Sequence, residues 1–394
     1  MKKHLFFVVI LMALLSKMQA QTIKTGVLVI GNNNTAVAAG LQAAISGVPT
    51  TILLQADSFH ITPGDHTLNS GIQATFLQKI RNVKQIKDSL QTPVFNSQTA
   101  NEVLKAWMDS LKNLSIIRNV TWVKAERSGK NWSFKLSNGS TLKPKVLINP
   151  GDEKLNNSLK VSITKNGWTV LDYNNTIYRT SIAGGPNATL FSMYQFFVPA
   201  QENLIWISDA KNMLLGQAGG ATAAYAAFFN TKSSLSNLKT IQGELINYKL
   251  NLIPFADIKH TDSNWKAIQF VGVTGVLKAD INGVIANFSP NKLVSTLEVK
   301  QPIKDYFYKA QIWFDDYTNS QMTIGSTIDM VCYIGNKAIV STKKEIEKKW
   351  KTAYQFKTEL DLNRPINRRE FAVLVQDYMP PFNVNIDKEG KVVR

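Results

Sequence analysis

A strand–turn–helix–strand unit near the start of the chain constrains the fold more than any other segment. Residues 27–55 read VLVIGNNNTAVAAGLQAAISGVPTTILLQ. The pattern predicts an apolar strand at Val27–Ile30, a turn at Gly31, a helix of small residues at Thr35–Ser46 and a second strand at Thr50–Leu54. Because a glycine turn between a buried strand and a helix brings backbone N–H groups to a pyrophosphate, this order is typical of dinucleotide-binding α/β folds.

Two positions in this unit depart from the dinucleotide-binding motif. In G-x-G-x-x-G/A, the second glycine allows close approach of the pyrophosphate, and an acidic residue about 20 positions later binds a ribose hydroxyl. Here these positions are Asn33 and Gln55, whereas Ala36 in the third position is allowed. Two interpretations stay open. With Gly31 and Thr35, the turn can hold a cofactor, or the asparagines can cap the helix themselves. Gln55 can hydrogen-bond a ribose or face solvent.

The first 20 residues have the pattern of a signal peptide. Lys2 and Lys3 precede the apolar run Leu5–Leu15, and Ala20 provides a small residue for cleavage. The run is shorter than the ~20 residues that span a membrane. We therefore expect a mature chain that is periplasmic or secreted and has no transmembrane segment.

The chain is basic, with 45 lysines and arginines against 28 acidic residues and a formal net charge of +17. Its lysines are scattered, and the densest run, KKEIEKKWK at 343–351, contains glutamates at helix spacing, which favours a solvated helix face. We expect no nucleic-acid partner. The positive charge leaves open an acidic surface or a polyanionic glycan as a binding partner. The only cysteine, Cys332, excludes an intrachain disulfide and lies in an apolar stretch that predicts burial.

Sequence patterns divide the mature chain into an α/β region, residues 21–234, and a helical region, residues 235–394. The helical region contains two similar segments, at 288–307 and 360–379. Each has a proline turn, a capping residue followed by glutamate, and a helix that ends in Asp-Tyr. In the α/β region, helices are predicted at Phe76–Leu90, Ala100–Leu111 and Gly219–Phe229, and strands at Ile116–Lys124, Trp132–Leu136, Thr141–Ile148, Val161–Thr164, Trp168–Leu171, Gln195–Val198 and Leu204–Ile207.

Four segments together carry a resemblance to known proteins. They are VLVIGNNNTAVAAGLQAA at 27–44, SNGSTLKPKVLINPGD at 137–152, LIWISDAKNMLLGQAGGATAAYAAF at 204–228, and a C-terminal region at 253–281 and 366–382. The first three resemble exported FAD-dependent oxidoreductases of the glutathione-reductase type, of the kind found beside xanthan lyases and other polysaccharide-degrading proteins. The fourth is similar to S-layer-homology modules. The resemblance implies a three-layer FAD/NAD(P)-binding Rossmann-like domain followed by a mainly helical module, with FAD as cofactor and a small-molecule or glycan-derived substrate.

The resemblance also implies further flavin-facing positions beside those of the first turn. In the family, an Ala-Thr-Gly-Asp loop precedes the substrate domain; here Asn149 and Pro150 replace its first two residues, and little length remains for that domain before Gln201. Small residues at the late helix can serve tight packing instead of a ligand. The implied positions are Gly151 and Asp152 in the loop, and Gly216, Gln217, Ala218 and Gly219 at the late helix.

Other catalytic patterns are weak or absent in the sequence. His60 and His66 lie near Asp57 and Asp65, which permits a metal site but favours a solvated loop, and His260 favours a turn role. The chain has no G-x-S-x-G, C-x-x-C or H-E-x-x-H motif. We therefore predict no metal site and leave catalytic residues unassigned. C-terminal aromatics favour core packing over a sugar platform; they are Trp265, Phe270, Tyr306, Phe307, Tyr308, Trp313 and Phe314.

Two functions remain open on the sequence. The first is an exported FAD-dependent oxidoreductase with an altered dinucleotide motif. The second is a non-catalytic descendant, a pseudoenzyme that keeps the fold and serves as an exported binding or scaffold protein. The substitutions at Asn33 and Gln55 and the missing substrate-domain length favour the second, because fold resemblance alone does not establish activity.

Overall fold

The computed structural model describes residues 21–63, 70–88, 91–161, 167–184 and 187–393. The predicted signal peptide, residues 1–20, lies outside this part of the chain, as does His66. Within the described part, no helix combines the length and hydropathy needed to cross a membrane.

The first region contains β1 Thr22–Ile30, α1 Asn34–Ile45, β2 Thr50–Leu53, α2 Gly71–Lys84, α3 Ser97–Asp109, β3 Leu114–Ile117, β4 Trp122–Ser128, β5 Asn131–Leu136, β6 Thr141–Asn149, α4 Glu153–Leu159, β7 Thr169–Val170, β8 Ser181–Ala183, β9 Thr189–Ser192, β10 Phe197–Val198, β11 Gln201–Trp206 and α5 Met213–Phe228.

The central sheet is mainly parallel. Its strands lie in the order β10-β11-β6-β1-β2-β3, with β10 antiparallel and β5 paired to the start of β6. Side chains alternate across β1, so Val27 and Val29 belong to the apolar cluster that contains α1 and α5. Leu28 and Ile30 pack in a second cluster with residues of β4, β5 and α4. This gives helices, sheet and hairpin as three layers, and the predicted α/β fold class is confirmed.

Several predicted boundaries change for local reasons. The strand predicted at Ile116–Lys124 is wrong, because Asn119 adopts a left-handed conformation (φ 56°) and separates β3 from β4. The predicted helix to Leu90 ends at Lys84, where Gln85 is left-handed (φ 55°). Helix α5 begins at Met213, six residues before the predicted start at Gly219, because Asn212 caps it. Strands β8 and β9 were not predicted, and most of Val161–Thr164 lies outside the described residues.

The remaining chain is mainly helical and continues the apolar cluster of the first region, so that α5 and the C-terminal helices share one core. The boundary predicted at residue 234 stays a prediction. The elements are α6 Leu238–Asn247, α7 Trp265–Thr274, β12 Asp280–Asn282, β13 Ile285–Asn287, α8 Thr296–Tyr306, α9 Lys309–Asp316, α10 Ile324–Gly335, α11 Ile339–Trp350 and α12 Arg368–Tyr378.

Three extended segments meet at the centre of this helical region. The N–H of Val294 donates to the carbonyl of Ile366 (3.0 Å), that of Ile366 to Met322 (2.9 Å), and that of Met322 back to Val294 (3.0 Å). In each case the next residue caps a helix: Ser295 caps α8, Thr323 caps α10 and Asn367 caps α12. The two similar segments predicted from sequence therefore have a third counterpart, which lacks the proline turn and the Asp-Tyr ending.

Candidate functional site

The candidate site lies at the carboxyl edge of the parallel sheet, where ligands of doubly wound folds bind. Strands β1, β6 and β11 end there, and three loops follow them, at 31–33, 150–152 and 207–212. Gly31 has φ +148°, and a Cβ on it would lie 3.3 Å from Cγ of Pro150. The first two loops are therefore in close contact.

Asn33 fills the turn with its own side chain. Its backbone is extended (φ −91°), and its Oδ1 accepts a hydrogen bond from the N–H of Ala36 at 2.9 Å. Its Nδ2 donates to the carbonyl of Pro150 at 3.0 Å. A glycine at this position would leave the Ala36 N–H facing the space between the loops. Asn33 instead caps α1 and ties the first loop to the second.

Thr35 binds the third loop. It is fully buried, and its N–H donates to the carbonyl of Ala210 at 3.3 Å. Its hydroxyl lies 2.5 Å from the carbonyl of Asp209 and 3.0 Å from that of Asn212, and it accepts from the N–H of Asn212 at 3.2 Å. Two first-turn N–H groups of α1, those of Thr35 and Ala36, thus bind protein oxygens.

The start of α5 is capped in the same way. Oδ1 of Asn212 accepts from the N–H groups of Leu214 (3.0 Å) and Leu215 (3.1 Å). Sequence reasoning missed this residue, although an asparagine directly before an apolar helix is a capping signal. The helix N-terminus that faces flavin in the resembled family therefore already has an acceptor of its own.

The late-helix residues predicted to contact flavin are buried in packing. A Cβ on Gly216 would lie 2.3 Å from the carbonyl oxygen of Thr35, and one on Gly219 would lie 2.6 Å from Cδ1 of Ile207. Oε1 of Gln217 accepts from the N–H of Ile72 at 2.8 Å, and Ala218 is fully buried. These positions allow α5 to pack closely on α1 and the sheet.

The remaining predicted residues lie at the rim. Gln55 is exposed, Gly151 is exposed with φ +94°, and Oδ1 of Asp152 accepts from the N–H of Leu155 as the cap of α4. Buried Asn149, which sequence reasoning treated only as a departure from the family, organises this loop. Its Oδ1 accepts from the N–H of Asp152 (2.8 Å) and its Nδ2 donates to the Asp152 carbonyl (3.0 Å).

In this arrangement the residues do not fit an FAD pyrophosphate. The Thr35 and Ala36 N–H groups that would bind it have protein acceptors, and Ala210 approaches α1 where the phosphates would lie. The position of the ribose-binding acid holds a neutral, exposed Gln55. The eleven predicted contact residues still stand as a sequence prediction, but the structure gives most of them capping and packing partners.

The other predicted groups have plain structural roles. Within the described ranges there is no group of three or more metal-binding side chains, and His60 is exposed. Cys332 is buried, and burial raises the pKa of its thiol. Most of the C-terminal aromatics pack in the core, as with Trp265 and Phe314, each 1% exposed, whereas Tyr308 is exposed.

Comparisons with known proteins add little beyond this geometry. No family model matches the chain, and no curated protein matches it. Among solved structures it is similar to p-nitrophenol 4-monooxygenase PnpA from Pseudomonas putida, at 13% identity over 58% of this chain and 84% of that chain, with a TM-score of 0.32. A second similar structure is the anhydrotetracycline hydroxylase OxyS from Streptomyces rimosus, at 10% identity over 58% and 65%, with a TM-score of 0.30.

A third similar structure is a variant of a flavin monooxygenase from Stenotrophomonas maltophilia, at 14% identity over 32% of this chain and 38% of that chain, with a TM-score of 0.24. The chain thus covers less than two thirds of the OxyS and flavin monooxygenase chains. Similarities this low carry no argument about activity. The assignment of the fold rests on the strand order and layers of the structure itself.

Proposed function

We propose that the protein is an exported, non-catalytic binding or scaffold protein that keeps the architecture of an FAD-binding fold. One observation carries the proposal: the first-turn N–H groups of α1 and α5 bind Asn33, Ala210 and Asn212. A helix N-terminus attracts phosphate through unsatisfied N–H groups and the positive end of the helix dipole. Where a protein oxygen already accepts these hydrogen bonds, a pyrophosphate has to displace it.

The cleft of the helical region supports a binding role. It has a volume of about 540 Å³ and is lined by polar side chains that include Asn264, Asn291 and Arg369. Nη1 of Arg369 lies 2.5 Å from Oδ1 of Asp262. Partial burial opposes ionisation of Asp262, but hydrogen bonds from Arg369 and the Asn264 backbone hold its pKa below the usual value. We propose that this S-layer-homology-like region binds a glycan-derived ligand linked to polysaccharide utilisation.

An FAD-dependent oxidoreductase remains the second candidate, favoured by the glycine turn at Gly31, which joins β1 to α1 at the carboxyl edge of the parallel sheet. The visible absorption spectrum of the purified protein separates the two functions. We expect no flavin bands and no shift in melting temperature at high FAD, because a ligand that binds the native state must stabilise it. Near-stoichiometric flavin in the purified protein would overturn the scaffold proposal.

Restoring the motif tests whether Asn33 and Gln55 alone exclude FAD. We expect Asn33→Gly combined with Gln55→Glu to leave FAD binding undetectable, because the Ala210 carbonyl still accepts from the Thr35 N–H. Isothermal titration of FAD into the double variant is the measurement. Since glycine replaces an asparagine cap at a cost of only a few tenths of a kcal/mol, the variant should remain folded. A measurable dissociation constant for FAD in the double variant would show that the space between the three loops admits the cofactor.

A further inference from the structure

A groove lies at the amino edge of the sheet, opposite the loops described above. It consists of two adjoining cavities of about 620 and 490 Å³ that share Asn131 and Lys145. The first is formed by the starts of β1 and β6 with the end of α5. The second continues past the β4–β5 turn to the residues that follow α5. We call this continuous surface the amino-edge groove.

The groove is strongly basic. Among the described residues that line it, six are cationic and one is a carboxylate, and the cations come from four separate stretches of the chain. Lys24 and Lys143 are directly opposite each other in the parallel pairing of β1 and β6, and both are exposed. Like charges directly opposite on paired strands destabilise a sheet. The fold therefore tolerates a local repulsion that an anionic ligand would relieve.

Most of the positive charge of the groove is not balanced by a carboxylate among the described residues. Of the ion pairs between described residues, none involves Lys24, Lys143 or Lys145. The Lys145 ammonium donates to the carbonyl of Ala227 at 3.1 Å. The single carboxylate, Glu202, accepts instead from Ser234 Oγ at 2.6 Å and from the Ser234 N–H at 3.2 Å. Glu202 also interacts electrostatically with Arg127 and Lys232 and offsets part of their charge, whereas the three lysines keep theirs.

The rest of the lining suits a sugar better than a peptide or a nucleic acid. Phe228 lines the first cavity and is 66% exposed, which leaves one aromatic ring beside the lysines. Asn131, Gln201 and Asn230 supply side-chain amides, which both donate and accept, as sugar hydroxyls require. A single-stranded nucleic acid would need several stacking rings along the groove.

We propose that the amino-edge groove binds an acidic oligosaccharide, with its carboxylates on Lys24, Lys143 and Lys145 and one sugar ring packed on Phe228. The proposal rests on the binding role proposed above and adds a second site to it, apart from the cleft of the helical region. It does not depend on flavin, because the groove and the dinucleotide-type loops lie at opposite edges of the sheet. Failure of the FAD experiment and failure of this proposal are therefore separate results.

Titration of the full mature chain with an oligogalacturonate tests the proposal. We expect Lys24→Gln combined with Lys143→Gln to weaken binding about tenfold, because two charge-assisted contacts are lost. The matched control is Lys344→Gln with Lys348→Gln, two exposed lysines of α11 that remove the same charge far along the chain. Equal weakening by both double variants would overturn the proposal, because binding would then follow net charge alone.

Phe228→Ala separates sugar recognition from simple charge attraction. We expect it to weaken the oligogalacturonate several-fold while leaving the affinity for poly-glutamate unchanged. Maltohexaose, which is neutral, should not bind. If poly-glutamate or single-stranded DNA binds the parent protein as tightly as the oligogalacturonate does, the sugar assignment is wrong. The Lys24/Lys143 variant should melt at or slightly above the temperature of the parent, since it removes a like-charge pair.

Discussion

Replacing Lys239 with methionine is expected to remove a marked pH dependence of folding stability. Lys239 is buried on α6, with its ammonium 3.4 Å from the carbonyl of Arg179 and 3.3 Å from Oε1 of Gln242. Burial, together with the charge of Arg179, lowers the pKa of Lys239 from 10.5 to about 7. Glu244 also lines the adjoining cavity, and burial raises the pKa of its carboxyl. None of the ion pairs between described residues involves Lys239.

The direction follows from proton binding. Between pH 7 and pH 10.5 the unfolded chain holds the Lys239 proton more tightly than the folded chain does, so stability rises with pH. The slope for one such group is about 1.4 kcal/mol per pH unit. Below pH 7 the full cost of burying the charged amine remains. The stability of the methionine variant relative to that of the parent should therefore be greatest at low pH.

Urea unfolding of parent and variant at several pH values between 6.5 and 9.5 measures how the unfolding free energy depends on pH. The range follows from the lowered pKa of Lys239. The expected result is that the difference in unfolding free energy between variant and parent changes with pH at about the slope above. The slope is the informative quantity, because methionine also removes the Lys239 hydrogen bond to Oε1 of Gln242 and one of the two hydrogen bonds to the Arg179 carbonyl, which Nε2 of Gln242 still binds at 3.1 Å. Lys344→Met, at an exposed position, is the control and should show a constant difference. A constant difference for Lys239→Met would contradict the assigned pKa.

Gly216→Ala is expected to destabilise the protein strongly. Its Cβ would lie 2.3 Å from the backbone carbonyl oxygen of Thr35, so α1 and α5 would have to separate. Overpacking of this kind costs about 3 kcal/mol. Chemical denaturation gives the value directly, and loss of the Thr35–Ala210 contact should accompany it.

Gly243→Ala is the matched control for that substitution. Gly243 also lies inside a helix, but the nearest atom to an added Cβ is 3.7 Å away on Phe382. Alanine should therefore stabilise the protein by about 0.5–1 kcal/mol through its higher helix propensity. If both substitutions left stability unchanged, that result would contradict the close packing of α1 against α5 at Gly216.

The sequence was informative about the fold because the first strand, glycine turn and helix are local features. The apolar strand at Val27–Ile30, the turn at Gly31 and the helix of small residues predicted a dinucleotide-type α/β fold, and the resemblance implied its three layers. Boundaries failed where one asparagine adopts a left-handed backbone or caps a helix, as at Asn119 and Asn212. Asn119 is held by Ala56 and Asp57, which are distant in sequence, whereas Asn212 bonds to its own helix and was a readable signal that went unused.

The candidate site was less predictable, because its contacts join residues that are distant in sequence. Asn33 was identified as a candidate cap from sequence, but its second bond, to Pro150, joins residues far apart in the chain. Likewise, the approach of Ala210 to Thr35 could not be inferred from either segment alone. The lysines of the amino-edge groove are scattered in sequence, and the strand register brings them together.

The backbone ring that joins Val294, Met322 and Ile366 bears on how the helical region is made. Each segment donates an N–H to one partner and accepts an N–H from the other. Two segments alone therefore form only one of the three hydrogen bonds. During synthesis, the ring can close only after Ile366 has left the ribosome, because two of its three hydrogen bonds involve that residue. Contacts between residues so distant in sequence slow folding and favour all-or-none closure. A chain released before α12 would therefore lack the centre of this region as well as its last helix.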